Sequence, residues 1–167
     1  VAPVENAQSE QRGYSCMIVI IDYGMGNVGS IFNMLKKVGC KVNISRDPSE
    51  IMEAAKLILP GVGAFDEAMN NLQKRGLIPV LNRRVLEDRC PVLGICLGMQ
   101  LMSRRSEEGK LPGLGWIEAE TKRFSLGQEQ GHLKIPHMGW NLVDVRDRTW
   151  IFAGFKDTPR FYFVHSY

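Results

Sequence analysis

Among the residues able to do covalent chemistry are four cysteines, Cys16, Cys40, Cys90 and Cys96, and one of them stands in a distinctive pattern. Gly94-Ile95-Cys96-Leu97-Gly98 reads G-x-C-x-G, the thiol counterpart of the G-x-S-x-G nucleophile elbow, at the junction between the apolar run PVLGI and a helical pattern. A sharp strand-to-helix turn holds the nucleophile in a strained conformation, and the flanking glycines remove side chains that would strike neighbouring backbone. A thiol at a helix start feels the positive end of the dipole, which favours thiolate, and the same free N–H groups can hold an oxyanion. The competing interpretation is a core cysteine, since free thiols are among the most buried side chains.

A second glycine loop, Pro60-Gly61-Val62-Gly63, follows the apolar run KLIL. It lies at the sheet edge where open α/β folds bind ligands, beyond the carboxyl ends of the strands. It can offer backbone donors to a substrate oxygen or serve as an ordinary tight turn, and the residues alone leave both open. The loop YGMGN after the first strand shares that edge but is no G-x-G-x-x-G, so nothing points to a dinucleotide. A thiol nucleophile requires a general base, and the three histidines are His132, His137 and His165. His165, closing the last apolar-aromatic run, is the first choice, against the alternative that each histidine only shapes a loop or pocket. The cysteine spacings match neither a C-x-x-C metal or redox motif nor a disulfide framework, which indicates no metal, no cofactor and a reduced, cytoplasmic setting.

Elements that alternate between strand and helix must position these groups. Strand MIVIID leads into a helix with Val28, Ile31, Leu35 and Val38 on one face, closed by Gly39. Strand CKVNIS is followed by Asp47-Pro48-Ser49-Glu50, an N-cap acid with proline at the first helical position. After KLILP comes a helix with Phe65, Met69 and Leu72 inward, ending at Gly76, then a helix from about Pro79 to Arg89, strand PVLGI, and a helix from about Leu97 to Arg105. This order implies an α/β fold with an open, mainly parallel sheet flanked by helices. Beyond Gly113 the segments GWIEAETKRF, LKIPHMGWNLV, TWIF and RFYFVH alternate and are rich in aromatics, which predicts an antiparallel lobe at one edge.

With 167 residues, 44% hydrophobic and 23% charged, the chain suits one globular core. The net charge of +3 is scattered without basic stripes, so nucleic acid is not expected. The longest apolar run, Cys16 to Ile21, is far short of the roughly 20 residues that span a bilayer, so no membrane association is expected either. Residues 1–16 are polar and aperiodic and are expected to be a disordered or non-native tail ahead of a domain over 17–167.

IIDYGMGN, LPGVGAF, GICLGMQLM, SEEG, GLGWI, PHMGWN and YFVHSY occur here in an order shared with one family. On these motifs, from Met17 to Tyr167, the chain resembles the glutaminase subunits of imidazole glycerol phosphate synthase, class I (triad-type) glutamine amidotransferases of histidine biosynthesis. The resemblance implies that Cys96 is the nucleophile and that the backbone of Val62 and Leu97 forms the oxyanion hole. It implies that Gly63, Gln100, Glu108, His165, Ser166 and Tyr167 surround bound glutamine, and that Asn27, Met138 and Trp140 face a (β/α)8-barrel cyclase partner receiving ammonia. It also resembles a paralogous branch that supplies ammonia for surface-polysaccharide amino sugars. In the family, base and orienting acid form a His-x-Glu segment downstream of YFVHSY. The resemblance therefore implies that this chain lacks two triad members and the last strands, so that it turns over little glutamine alone, acts as a binding subunit, or self-associates through an exposed sheet edge.

Overall fold

The computed structural model describes residues 17–126, 134–146 and 150–167. These fall into two compact units, one running through Lys122 and one over Arg123–Tyr167.

The first unit is built on a four-stranded parallel sheet in the order β2-β1-β3-β4. Its strands are β1 (Ile18–Ile21), β2 (Val42–Ser45), β3 (Lys56–Leu59) and β4 (Val92–Gly94). The runs IVII and KLIL suit central strands covered on both faces. Helix α1 (Val28–Lys37) links β1 to β2, and α2 (Pro48–Glu53) then returns the chain across β1 to β3. Strand order thus reverses between β1 and β3, and in such sheets the crevice beyond the carboxyl ends of those two strands is the natural ligand site. Helices α3 (Phe65–Lys74) and α4 (Leu77–Asn82) lie between β3 and β4, α4 running on through a π-helical turn over Arg83–Glu87.

The two sheet faces are covered unequally. Val19, Ile21, Leu57 and Leu59 pack in one cluster with Ile51 of α2, Phe65 and Leu72 of α3, Leu77 and Leu81 of α4, and two leucines of the helix after β4. The opposite face, Ile20, Val42 and Ile58, meets Val28, Ile31 and Leu35 of α1. Val38, expected on that inward stripe, is 65% exposed, because it lies at the cap beyond the last turn of α1. Arg84 ties the first cluster together: its guanidinium donates to the Ala54 carbonyl at the end of α2 and to Asp88 at 2.8 Å.

The helix expected over about Leu97 to Arg105 is shorter: α5 spans Leu97–Leu101. Its turn is ended by competition for carbonyls. Leu114, Ile117, Gly115 and Gly113 donate their N–H groups to the oxygens of Leu101, Met102, Ser103 and Arg104, and the Ser103 hydroxyl takes the Gln100 carbonyl at 2.7 Å. The chain then enters β5 (Arg105–Ser106), which pairs parallel with β6 (Glu120–Thr121). GWIEAETKRF was expected to be an antiparallel strand; it pairs instead in parallel over two residues, its earlier Gly115 and Ile117 N–H groups bonding the oxygens of Ser103 and Met102 rather than a neighbouring strand.

In the second unit, β7 (His137–Leu142) and β8 (Arg160–His165) form the expected antiparallel ribbon. TWIF, expected as a strand, contains a 3-10 turn over Trp150–Phe152, followed by a bond from the Phe155 N–H to the Phe152 carbonyl.

These assignments make opposite expectations for two substitutions. Leu72→Ala removes a wholly buried side chain and should cost about 3 kcal/mol. Gly29 sits within α1, where an added methyl group would find only Asn27 Oδ1 nearby, at 4.0 Å, so Gly29→Ala should stabilise by roughly 0.5–1 kcal/mol. Urea unfolding of the two variants measures both.

Candidate active site

Cys96 occupies the turn between β4 and α5 with φ 52° and ψ −119°, a conformation that costs a non-glycine residue about 1–3 kcal/mol. It is exposed, whereas Cys40 is half-buried and Cys90 buried. The core-cysteine interpretation is therefore excluded. Both flanking glycines are required by contact. A Cβ on Gly94 would lie 2.5 Å from the Met99 Cα and 2.7 Å from the Met102 sulfur, and one on Gly98 would collide with the Leu59 carbonyl. Leu97 anchors the turn with a buried side chain, and its N–H, the first of α5, has no acceptor within the helix.

The loop Pro60-Gly61-Val62-Gly63 runs directly against this elbow. A Cβ on Gly61 would lie 2.6 Å from the Gly98 nitrogen, 2.8 Å from the Leu97 Cβ and 2.9 Å from the Tyr23 hydroxyl. Val62 is exposed, and Gly63 adopts φ +112° with the Met25 methyl close by. Gly26, at φ +88°, brings the loop after β1 against the same segment: its Cβ would lie 3.1 Å from both the Gly61 nitrogen and the Pro60 Cβ. Close approach at Gly26, Gly61 and Gly98 thus packs the loop directly on the elbow. Behind it, wholly buried Tyr23 donates its hydroxyl to the Pro60 carbonyl at 2.5 Å. Burial, and next the negative charge that Cys96 carries as thiolate, push the Tyr23 hydroxyl far above its usual range, so it stays a donor. Tyr23 was not among the residues singled out from the sequence; the signal for it was a phenol just past a fully apolar strand, where burial demands a partner for the hydroxyl.

Two residues singled out on resemblance have identifiable structural work in this unit. The Asn27 side chain caps α1, accepting from Ser30 N–H at 3.0 Å. Glu108 accepts from Phe65 N–H at 3.1 Å and so caps α3, whose own N-cap, Ala64, has no side chain for it. Asp66 completes that clasp by accepting from the N–H groups of Lys110 and Leu111, which hold its carboxyl below the usual carboxylate range. Gln100 lies one turn into α5 from Cys96.

The remaining candidates belong to the second unit. His165 Nδ1 lies 2.8 Å from the main-chain oxygen of Tyr167. His165 Nε2 lies 3.2 Å from His137 Nδ1, and His137 Nε2 lies 2.8 Å from the Asn141 amide nitrogen, the donor and acceptor roles following the ring tautomers. These contacts join the two described histidines to each other within the second unit. The Ser166 carbonyl accepts from Phe124 N–H at 3.0 Å. Met138, Trp140 and Leu142 of β7 share a ribbon face with their partners Val164, Tyr162 and Arg160, and all six are exposed. Trp140 meets Tyr162 edge-on at 5.7 Å between centroids, under the Arg160 guanidinium at 5.5 Å. His132 and Cys16 lie outside the described residues, among which no cluster of three or more metal-ligating side chains occurs and no helix is long and apolar enough to cross a membrane.

Limited alkylation should label Cys96 before Cys40 and Cys90 in a mass map, because it is the exposed thiol. Burial raises the Cys90 thiol above its ordinary range, so its thiolate fraction at any given pH is lower and its labelling should rise only at more alkaline pH. Early labelling of Cys90 would contradict this placement.

Comparison with known proteins agrees with this geometry. The family model "Glutamine amidotransferase class-I" matches residues 19–167. "Imidazole glycerol phosphate synthase subunit HisH 2" of Methanococcus maripaludis is 54% identical over 151 residues, covering 90% of this chain and 73% of that protein. The protein of the same name from Pseudomonas aeruginosa is 52% identical with the same coverage. "Imidazole glycerol phosphate synthase subunit HisH" of Bdellovibrio bacteriovorus is 43% identical, covering 90% of this chain and 74% of that one. A solved structure described as "Crystal structure of glutamine amidotransferase" superposes with a TM-score of 0.55 at 22% identity, over 69% of this chain and 60% of the other, a likeness of fold. With its elbow cysteine, its glycine loops and these relatives, the chain belongs to the class I glutamine amidotransferase family.

Proposed function

We propose that this chain is the glutamine-hydrolysing subunit of a synthase that consumes the released ammonia, with imidazole glycerol phosphate formation in histidine biosynthesis as the first assignment. The observation that carries this reading is the strained, exposed Cys96 against a glycine loop rich in backbone donors. The Cys96 thiolate attacks the side-chain amide carbon of glutamine, forming an S–C bond and a tetrahedral oxyanion. The backbone N–H groups of Val62 and Leu97 receive that charge; the C=O then re-forms as the C–N bond breaks, and the proton given up by the Cys96 thiol, returned through solvent, joins the nitrogen that leaves as ammonia. Water then hydrolyses the γ-glutamyl thioester to glutamate. Gly63, Gln100, Glu108, His165, Ser166 and Tyr167 are proposed to frame the glutamine, with Glu108 also holding α3 in place. The setting is proposed to be cytoplasmic, where a reactive thiol stays reduced.

A second reading has its own support. The elbow unit contains no histidine, since all three lie at 132 or later. General-base work of this kind contributes typically 10²–10⁴-fold, so the chain alone is proposed to turn over glutamine slowly and to act mainly as a docking subunit. Ammonia supply to amino-sugar synthesis is the alternative acceptor chemistry.

Labelling of Cys96 by 6-diazo-5-oxonorleucine, a glutamine-shaped electrophile, tests the substrate class without requiring turnover. Glutamine should slow the labelling and asparagine should not; equal protection by both would sink the assignment. The partner is proposed to be a (β/α)8-barrel synthase subunit that contacts the exposed face around Met138 and Trp140, and separately Asn27 of the first unit. Such aromatic anchors dominate interface energies. Trp140→Ala should weaken binding to the barrel by about tenfold or more while leaving the melting temperature unchanged, as read by titration calorimetry.

A further inference from the structure

Glu108, one of the residues proposed to frame glutamine, stands on the turn that follows β5 in the motif Ser106-Glu107-Glu108-Gly109. Within that turn the bonds are short-range. The Ser106 hydroxyl accepts from Glu108 N–H at 3.1 Å and the Ser106 carbonyl from Gly109 N–H at 3.3 Å. They shape the turn without fixing where it stands relative to the glycine loop at the Cys96 elbow. Two carboxylates do that, reaching in opposite directions between this turn and α3, the helix that follows the loop. Glu108 Oε2 accepts from the N–H of Phe65, two residues past Gly63. Asp66, the next residue, sends its side chain back: Oδ1 accepts from Lys110 N–H at 2.9 Å and from Leu111 N–H at 3.0 Å, and Oδ2 lies 3.0 Å from the Lys110 nitrogen. Gly109 shows how close the two backbones are, since a Cβ there would collide with Asp66 Oδ1 and lie 3.1 Å from the Phe65 ring.

We propose that Asp66 is a positioning residue for Glu108: by holding the backbone at 110 and 111, it keeps the Glu108 carboxylate at its glutamine-binding position. The inference rests on the reading in which Glu108 frames glutamine. A carboxylate has about four acceptor sites, so the bond to Phe65 N–H leaves Glu108 capacity for a substrate group. That bond fixes one oxygen only. Where the other oxygen lies depends on where the Glu108 Cα stands, because a glutamate side chain with three free torsions can reach the same N–H from several backbone positions. Asp66 removes that freedom by charge-assisted bonds two and three residues beyond Glu108, so the residue is held at its tip and through its main chain.

The test reads the apparent binding constant of 6-diazo-5-oxonorleucine from the concentration dependence of Cys96 labelling in the full chain, with iodoacetamide as the measure of the thiol itself. Asp66→Ala should weaken binding of the glutamine analogue about tenfold while changing the iodoacetamide rate by less than about twofold. Asp66→Asn keeps an oxygen for both N–H groups and should stay within about threefold of wild type. A purely structural role would act whatever residue stands at 108, whereas a positioning role requires the glutamate. In a Glu108→Gln background, which retains an acceptor for Phe65 N–H but not the charge, Asp66→Ala should therefore weaken binding by less than about twofold further. A further tenfold loss in that background would overturn the proposal, as would an Asp66→Ala constant within twofold of wild type, an equal loss in both reactions, or a loss in Asp66→Asn as large as in the alanine variant. Gly109→Ala lifts the turn off Asp66 and carries the same comparison, with the same expectations, if Asp66→Ala does not fold. Unchanged binding in Glu108→Gln would overturn the glutamine-framing role of Glu108 and this inference while leaving Cys96 as the glutaminase nucleophile. Absence of Cys96 labelling by the analogue in wild type would overturn the glutaminase reading as well.

Discussion

Three backbone segments meet beyond the carboxyl ends of β1, β3 and β4 with no side chain between them, and the architecture of the first unit depends on that contact. Gly98 lies against the Leu59 carbonyl, Gly61 against the Gly98 nitrogen, and Gly26 against Pro60 and Gly61. Any Cβ at these places would push apart the end of β3 and the start of α5, and with them Cys96 and the Pro60–Gly63 loop. The strand order β2-β1-β3-β4 brings the segments together, because the reversal between β1 and β3 leaves their terminal loops flanking one crevice. The register of β3 with β4, Leu59 opposite Gly94, sets how far Cys96 projects past the strand end.

The strain at Cys96 is offset from beneath. Leu97 and Leu101 of α5 are buried among Leu59, Phe65 and Tyr23, and full burial of an aliphatic side chain contributes about 1.5–3 kcal/mol. That is enough to hold one residue at φ 52°. The same cluster takes in α2, α3 and α4, so the elbow stands on the better-packed face of the sheet, opposite the face covered by α1. Asp66 and Glu108 extend the anchorage outward by stitching the 108–111 segment to the start of α3 with charge-assisted bonds.

Chemistry is distributed between the two units. The first carries the thiol and the backbone donors. The second carries the described histidines, joined in a run of contacts from Asn141 through His137 to His165. Its ribbon alternates as a two-faced strand pair must: Met138, Trp140, Leu142, Tyr162 and Val164 on the exposed face, His137, Phe163 and His165 on the half-buried one. Phe124 packs against both histidine rings, which accounts for their partial burial.

Much of this was legible in the amino-acid order, because it follows from short-range rules. Proline and an acid at 47–48 start α2, with Asp47 accepting from Ser49 N–H as its type and place require. Apolar runs of four residues became central parallel strands, and a glycine on each side of a cysteine announced a turn with no room for side chains. The end of α5 was illegible, since beyond the Ser103 hydroxyl the groups that take its last carbonyls, the N–H groups of Leu114 and Ile117, come from more than ten positions away. The parallel β5–β6 pair likewise joins residues 15 apart. Nor could spacing show that Tyr23 meets the Pro60 carbonyl, that Glu108 caps α3, or that His165 meets His137 across the ribbon. By itself the sequence determined which residues turn, which bury and which can react. Tertiary structure alone decided which donors meet which acceptors, because those partners are far apart along the chain and come together only when strand order and register are set.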